Sequence, residues 1–460
     1  RYVRRADRFL THRDRRSSER IFEAARDLRR RRSLGERLAS TELYQGGYRR
    51  LRRSRVYFPL MRFMVRLLQR LPADENRVVF ESGVGLQYAD SPRYVYEELV
   101  RRGSQMTKVW AYTGKIHSHD QNTVRVARLS PEYFWHLGRA KYWVNNQNFP
   151  SYLRRRPDGV YLQTWHGTPL KRMLHDLQTI HGCDGGYVQR VTEAARQWSV
   201  LASPSEYTTT AMRSAFRYSG PVLEQGYPRN DVFFRPDADD IAWRVRRKLG
   251  ISRAATVVLY APTFRDDQPA GQNRFSFALP LDLERFTREL PADTVLLLRM
   301  HVLIRGGAPV PEELADRVVD VSTYPEIQEL YLASDVLVTD YSSVFFDFAA
   351  LRRPMLFYAY DLEAYRDTLR GFYLDYLNDL PGPVVRTEDE LYAALRDLPG
   401  VTADYGERYD AFLERFAPHD DGHAAERVVD AVFADAISSG MVLPAPPADE
   451  REEPLGSDTV

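Results

Sequence analysis

Cysteine is almost absent from this chain, because Cys183 is the single one among 460 residues. A disulfide framework within the chain is therefore excluded, and a reducing compartment is the expected setting. The sequence also lacks an apolar run long enough to cross a bilayer and the apolar segment of a signal peptide, so we expect a soluble or peripheral protein. It has neither a P-loop lysine motif nor a GxGxxG motif, which excludes a P-loop enzyme and a standard dinucleotide dehydrogenase.

Positive charge is concentrated near the N-terminus. Residues 1–70 contain 22 Arg against 7 Asp and Glu, a net charge of +15, whereas the whole chain carries only +2. The stretch 56–71, VYFPLMRFMVRLLQRL, mixes large apolar side chains with arginines at four-residue spacing, which share one face of a helix. Such a helix either lies in the interface of an anionic membrane or packs on the protein body. Nucleic acid is a weaker third alternative, because no recognised binding module accompanies the charge.

Short apolar runs alternate with helix-like segments from residue 75 onward. This alternation predicts an α/β protein with two Rossmann-like domains that face each other across a cleft, each built on a parallel sheet. The predicted strands lie within 77–83, 108–114, 141–147, 160–167 and 199–205, and then within 256–264, 294–301, 317–323, 335–343 and 354–361. The predicted organisation is a basic helical extension at 1–74, domains at 75–235 and 236–436, and a disordered tail at 437–460.

Polar residues follow the predicted strands of the second domain. They are Arg265, His301, Ser322, Thr323, Asp340, Ser342 and Ser343. Ligands of open parallel sheets bind outside the carboxyl ends of the strands, so these side chains should converge. Ser342 and Ser343 stand just before an apolar helical pattern, so one of them is expected at the N-cap of a helix. This helix N-terminus either binds a phosphate or is capped by an ordinary serine with no ligand.

His166 ends a predicted strand of the first domain, in the stretch QTWHGTPLK at 163–171. One interpretation is a packed histidine beside Trp165. The other is that the strand delivers an imidazole into the cleft, where it accepts a proton near neutral pH. Gly167 would then leave room for a substrate to approach.

Several motifs together resemble one family. WHGTPLK (165–171), APTFR (261–265), GYPRND (226–231), RMH (299–301), DDGHAAERVVD (420–430) and above all the block 324–373 resemble the CDP-glycerol glycerophosphotransferases, the teichoic acid primases and polymerases. The resemblance covers roughly residues 75–435. It implies the glycosyltransferase-B architecture, with the acceptor at the N-terminal domain and the nucleotide donor at the C-terminal one. It also implies a cytoplasmic enzyme, peripheral on the inner face of the cell membrane, that acts on a lipid-linked acceptor.

The reaction implied by the resemblance is transfer of glycerol phosphate, or a related polyol phosphate, from a CDP-activated donor to a hydroxyl of a lipid-linked or glycan acceptor. CMP leaves, and the product is teichoic acid or a related cell-envelope polymer. His166 would take the acceptor proton, while Arg265 and His301 would hold the pyrophosphate. The other implied donor-binding residues are Ser342, Ser343, Asp340, Thr339, Ser322 and Asp347, of which Asp347 is alternatively a surface or capping carboxylate. Gly167, Thr168, Lys171, Arg229 and Asn230 would support the acceptor side or the interdomain turn.

No tightly bound cofactor or metal is expected. The acidic pairs Asp266–Asp267 and Asp420–Asp421 lack accompanying His or Cys ligands and are expected to be solvated, which leaves Mg²⁺ bound loosely to the donor. One rival is a nucleotide-sugar glycosyltransferase or epimerase of the same architecture, which would release a nucleoside diphosphate. Another is a non-catalytic membrane or nucleic-acid binder, which leaves the convergence of His166, Arg265 and His301 unexplained. The sequence does not fix the polyol, the acceptor, the number of units added or the oligomeric state.

Overall fold

The computed structural model describes residues 52–433, apart from gaps at 117, 119, 178–185, 264–278, 301–309 and 364–370. Arg265, His301, the tail at 437–460 and residues 1–51 of the basic extension therefore lie outside the described residues. Internal contacts divide the chain into residues 1–64 and 65–460, and both sheets lie within the second part. The first described helix is Tyr57–Leu68, inside the stretch for which the sequence predicts one. Among the described residues, no helix has the length and apolar character needed to cross a membrane.

The first sheet has seven parallel strands in the order β3-β2-β1-β4-β5-β6-β7. They are β1 Asp74–Glu81, β2 Thr107–Trp110, β3 Thr123–Arg125, β4 Ala140–Asn145, β5 Val160–Gln163, β6 Val200–Ser203 and β7 Val222–Glu224. The helices along this part are Asp90–Arg101, Pro131–Arg139, Tyr187–Ala195 and Glu206–Phe216, with 3₁₀ turns at Gly83–Gly85, Leu174–Asp176 and Pro228–Phe234.

The second sheet has six parallel strands in the order β10-β9-β8-β11-β12-β13. They are β8 Thr256–Ala261, β9 Thr294–Leu298, β10 Val318–Asp320, β11 Val336–Thr339, β12 Met355–Tyr358 and β13 Val384–Val385. The helices are Ala238–Lys248, Leu283–Glu289, Ile327–Ala333, Val344–Phe348, Glu388–Arg396, Leu398–Phe416 and Ala424–Phe433, with 3₁₀ turns at Glu312–Leu314 and Ala349–Leu351.

Both sheets follow the doubly wound strand order, in which the chain moves outward from a central strand and then crosses to its other side. The predicted fold of two Rossmann-like α/β domains is confirmed, and each of the ten predicted strand stretches overlaps a strand. The sequence reasoning missed β3, β7 and β13. The domain bounds at 74, 235 and 436 stay predictions.

Apolar side chains that point alternately to the two faces of its strands form a core on each face of the second sheet. Val257 and Leu259 belong to one buried cluster, whereas Val258 and Tyr260 belong to another, as expected when successive side chains point to opposite faces.

The last described helix, Ala424–Phe433, packs on the first sheet, although its Ala425 also joins a buried cluster with Leu332 of the helix Ile327–Ala333. Its Val428, Val429 and Val432 join the buried cluster that contains Val78 of β1 and Val95. The chain therefore returns to the first sheet after completing the second.

Candidate active site

The strand order of the second sheet reverses between β8 and β11, and the loops after these strands start side by side. Such a switch point is where open α/β sheets bind ligands. The backbone N–H of Thr263 donates to Asp340 Oδ1 at 2.7 Å, and Thr339 Oγ1 donates to the carbonyl of Ala261 at 2.7 Å. Thr339 and Asp340 are fully buried. Their side chains hold the two strand ends together and so fix the shape of this edge of the sheet.

A cavity of about 240 Å³ lies where the loop after β5 faces the loops after β8 and β11. Its walls include His166, Gly167, Thr168 and Lys171 from the first sheet, and Thr263, Ser342 and Ser343 from the second. The structure thus brings together six of the residues assigned to the site from the sequence, namely His166, Gly167, Thr168, Lys171, Ser342 and Ser343.

A tight turn after β5 presents His166 to the cleft. Trp165 has a φ of 52°, in the left-handed region that non-glycine residues rarely adopt. Its backbone N–H donates to Gln163 Oε1 at 2.9 Å, and its indole packs edge-on against Phe216 at 4.8 Å between ring centroids. These contacts stabilise the strained turn, so the strand end is rigid where the imidazole begins.

The hydrogen bonding of His166 fixes which ring nitrogen is available. Nδ1 lies 2.9 Å from the carbonyl oxygen of Asn146, and a carbonyl only accepts, so Nδ1 carries the hydrogen. Nε2 of the neutral ring then keeps its lone pair. Desolvation lowers the pKa of His166 below its ordinary 6.5, and the charge of Arg229 acts in the same direction against the Asn146 bond and Asp90. The side chain is exposed on the cavity wall, and with a pKa below 6.5 the imidazole is neutral in most molecules at pH 7 and suited to accept a proton.

Gly167 has a role that the sequence did not indicate. A Cβ built at this position would lie 2.9 Å from Ser343 Oγ, closer than such contacts normally come. The missing side chain therefore lets the loop of the first sheet approach the serine loop of the second.

Ser343 occupies the N-cap position of the helix Val344–Phe348, but its hydroxyl makes no capping hydrogen bond. This leaves the hydroxyl available on the cavity wall, where Ser342 also lies. The helix is only five residues long, so its dipole adds less attraction for an anion than a full-length helix would.

Arg229 bridges the two sheets from a buried position. Its side chain is 2% exposed, and it pairs with Asp90 at 3.1 Å and with Asp347 at 3.0 Å. Asp90 begins a helix of the first sheet, and Asp347 lies in the helix after β11. The guanidinium also lies over the ring of Tyr227 at 4.1 Å from its centroid. Asp347 is thus a buried ion-pair partner on the wall of a second cavity, rather than a surface carboxylate.

Asn230 continues this bridge. Its Nδ2 donates to Asp347 Oδ1 at 3.3 Å and to Asp420 Oδ2 at 2.7 Å. Desolvation raises the pKa of the partly buried Asp420 to about 7. The expectation that Asp420 and Asp421 are both solvated is therefore wrong for Asp420, whereas Asp421 pairs with Arg427 at 2.8 Å near the surface.

Asn146 and Asp90 belong to the site but were missed in the sequence. Asn146 Nδ2 donates to Asp90 Oδ2 at 2.7 Å, and Asn146 Oδ1 accepts from the backbone N–H of Gly83 at 3.1 Å. Because the carbonyl of Asn146 also holds His166, this residue links the imidazole to the Arg229 bridge. The available signal was the pair Asn145–Asn146 at the end of β4, a polar strand end like those noted in the second domain.

Ser322 lies in the turn after β10, where its Oγ accepts from the backbone N–H of Met300 at 3.0 Å. It does not line the cavity beside His166. Lys171 forms an isolated antiparallel bridge with Phe372. Within the described ranges, no group of three or more His, Cys, Asp or Glu residues is placed to hold a metal ion.

Comparison with known proteins gives consistent matches. Residues 63–434 match the family model described as CDP-Glycerol:Poly(glycerophosphate) glycerophosphotransferase. A teichoic acid poly(glycerol phosphate) polymerase of Bacillus subtilis is 37% identical over 373 residues, which cover 80% of this chain and 50% of the relative. A teichoic acid glycerol-phosphate transferase of Staphylococcus aureus is 39% identical over 376 residues, covering 80% of this chain and 95% of the relative.

A solved structure of the wall teichoic acid polymerase TagF, from a variant soaked with CDPG, matches with a TM-score of 0.76 and 35% identity. The match covers 82% of this chain and 94% of that one. The chain thus spans about half the length of the Bacillus subtilis relative and nearly all of the Staphylococcus aureus one.

Proposed function

Because the chain belongs to the CDP-glycerol:poly(glycerophosphate) glycerophosphotransferase family, we propose that it transfers glycerol phosphate from CDP-glycerol to a hydroxyl of a lipid-linked teichoic acid chain. The observation that best supports this is the position of His166. It follows the carboxyl end of β5 in the first sheet, and its Nε2 is free to accept a proton. The cavity that it lines is also lined by Ser342 and Ser343, in the loop after β11 at the switch point of the second sheet.

In the proposed reaction, His166 Nε2 accepts the proton of the attacking hydroxyl. The acceptor oxygen forms a bond to the phosphorus that carries glycerol, and the bond from that phosphorus to the bridging pyrophosphate oxygen breaks. CMP leaves with the electron pair of that bond. Phosphoryl transfer requires mainly positioning and stabilisation of charge on the phosphate oxygens. Ser342 and Ser343 supply hydroxyl donors for this purpose, and the resemblance adds Arg265 and His301.

A tightly bound metal has no part in the proposal. Asp340 accepts a backbone hydrogen bond and Asp347 is paired with Arg229, so these described carboxylates are already engaged. Mg²⁺ would be carried by the phosphates of the donor, where it would offset their charge.

The first test identifies the released nucleotide. We expect the purified chain, given CDP-glycerol and a lipid-linked glycerol phosphate acceptor, to release CMP, and to use CDP-ribitol less well. Nucleotides are separated by anion-exchange chromatography. Release of a nucleoside diphosphate from a nucleotide sugar would instead support the glycosyltransferase alternative, and inactivity with every CDP-polyol would contradict the proposal.

We further propose that the protein acts peripherally at the inner face of the cell membrane. The arginine-rich segment supplies positive charge. Arg66 and Leu67 are exposed in the last turn of the first described helix, and Arg70 and Leu71 are exposed just after it. Basic and apolar side chains that are exposed together are typical of binding to the interface of an anionic membrane.

We expect the double variant Arg66→Gln/Arg70→Gln to bind phosphatidylglycerol vesicles about 30-fold more weakly at low salt, since each basic side chain near an anionic surface contributes about 1 kcal/mol. Vesicle co-sedimentation measures this. The matched control is Arg244→Gln/Arg247→Gln, which removes two exposed arginines from the helix Ala238–Lys248. Equal weakening in both variants, or no vesicle binding by the unaltered chain, would contradict the assignment.

A further inference from the structure

A second cavity, of about 150 Å³, adjoins the one described above. The two cavities share only His166 and Ser343, so they meet at the proposed base. Besides Asp347, the polar side chains that line the second cavity include Gln87, Asp90, Arg229, Arg299, Glu326 and Gln328. They come from both halves of the cleft, as a site for a second substrate would require.

The size of this cavity limits what can enter. Pockets for drug-sized ligands measure about 300–1,000 Å³, and this cavity has about half the lower value. A nucleotide is too large for it, whereas the end of a three-carbon polyol is small enough.

The charges on its walls favour hydroxyl groups over phosphate. Arg229 is engaged by Asp90 and Asp347, as described above. Arg299 Nη1 donates to the carbonyls of Val321, Ser322 and Tyr324 at 2.7, 2.8 and 2.7 Å. Arg229 Nη1 and Nη2 and Arg299 Nη1 are therefore already used within the protein, and three carboxylates, Asp90, Asp347 and Glu326, outnumber the two guanidinium groups on the walls. Carboxylate oxygens remain on the walls, and these accept hydrogen bonds from hydroxyl groups.

Glu326 adds a group that can both donate and accept. It is 2% exposed, accepts from the backbone N–H of Asp90 at 3.2 Å and pairs with Arg93 at 3.4 Å. Desolvation raises the pKa of Glu326 to about 7. At neutral pH its carboxyl group is therefore protonated in part of the molecules, which suits a hydroxyl partner better than an anion.

Gln328 provides the most specific observation. It lies in the helix Ile327–Ala333 with 1% exposure. Within the part of the chain that the structure describes, its Oε1 has no hydrogen-bond partner. A buried acceptor left unsatisfied is unfavourable in the empty protein, and a hydroxyl group would satisfy it once the Gln328 side chain turned towards the cavity that this residue lines.

We propose that the second cavity binds the terminal glycerol of the acceptor chain, with the attacking hydroxyl at His166 Nε2 and a neighbouring hydroxyl donating to Gln328 Oε1. This inference rests on the proposed glycerol phosphate transfer and adds the place where the acceptor enters. The donor carries a glycerol of the same chemistry, so the test separates the two sources. With the donor phosphates at Ser342, the acceptor and donor approach the reacting phosphorus through different cavities.

The test uses Gln328→Leu in the full chain, with CDP-glycerol as donor and a soluble glycerol phosphate oligomer as acceptor. Losing one hydrogen bond to the acceptor should raise its KM about five- to tenfold and leave the donor KM within about twofold. The melting temperature should stay the same or rise, because the change removes an unsatisfied buried oxygen. Ser342→Ala should show the reverse pattern, with a donor KM raised about tenfold or more.

Gln225→Leu is the matched control. It removes another side-chain oxygen that lacks a hydrogen-bond partner in the described part of the chain, and it lines neither cavity. It should leave both KM values unchanged. An unchanged acceptor KM in Gln328→Leu overturns the inference, and so does a rise in the donor KM alone, which would assign the cavity to the donor's glycerol.

Calorimetric titration of the oligomer separates this inference from the proposed reaction. If the unaltered chain releases no CMP, the proposed transfer is wrong, yet oligomer binding still tests the cavity. Binding that weakens about five- to tenfold in Gln328→Leu supports the acceptor site. Binding of equal strength in both proteins, or no binding to either, overturns it.

Discussion

Replacing His166 with alanine is expected to lower turnover by about 10²- to 10⁴-fold and to leave CDP-glycerol affinity nearly unchanged. The reason is geometric. The Asn146 carbonyl holds Nδ1 at 2.9 Å, so the imidazole presents Nε2 as a positioned proton acceptor. Steady-state kinetics with saturating donor measures the turnover, and calorimetry measures donor affinity.

Two controls separate catalysis from packing. His175→Ala removes a nearby exposed histidine that bonds Thr192 Oγ1 at 2.8 Å, and it should leave turnover within about twofold, as for an ordinary surface substitution. If His166 is only a packed residue beside Trp165, whose ring lies 4.2 Å away, its variant should melt early while the folded fraction stays active. The pH profile adds a third measurement. The acidic limb of kcat/KM should lie below 6.5 in the unaltered chain, because desolvation lowers the pKa of His166, and it should be absent in the variant.

Arg229→Ala should lower the free energy of unfolding by about 3–5 kcal/mol, the range for removing one partner of a buried ion pair. The guanidinium is 2% exposed, and its loss leaves Asp90 and Asp347 close together without their shared cation. Urea unfolding followed by circular dichroism measures the change. Arg229→Lys should fall in between, because an ammonium keeps the charge but cannot reach both carboxylates with a planar fork.

The comparison variant is Arg235→Ala. Arg235 pairs with Asp237 at 2.8 Å, but its side chain is 44% exposed, so water screens the pair and the loss should be about 1 kcal/mol or less. If the urea midpoints of Arg229→Ala and Arg235→Ala were equal, the buried ion pairs of Arg229 would contribute no more to stability than the exposed pair of Arg235.

The fold was predictable because its strands are buried on both faces and form continuous apolar runs, as at 256–261 and 336–339. The missed strands β3, β7 and β13 have three, three and two residues, and each is an edge strand with one neighbour. A segment that short and only partly covered needs few apolar residues, so its pattern does not differ from that of a loop.

Part of the candidate site could be predicted from the positions of strand ends. His166, Ser342 and Ser343 follow strands, and the carboxyl ends of parallel strands meet at one edge. Gln328 and Asp420 could not be predicted in this way. Asp420 is held by Asn230, a partner 190 residues away along the chain, and periodicity within a segment carries no information about such pairs. Burial of Gln328 likewise depends on how the two sheets face each other.

The return of helix Ala424–Phe433 to the first sheet has a consequence for biosynthesis. Asp231 accepts from the backbone N–H groups of Ala424 and Ala425 at 3.0 and 2.7 Å, and Val428 completes the cluster around Val78. Translation makes β1 to β7 first, yet the part of one apolar face that the helix Asp90–Arg101 does not cover stays exposed until residues 424–433 have left the ribosome. The second sheet must therefore be synthesised while the first is incomplete, which is the state in which nascent chains aggregate or recruit chaperones. Premature termination anywhere before 424 would release a polypeptide with that face exposed, so partial products should be cleared by proteolysis rather than persist as a working half.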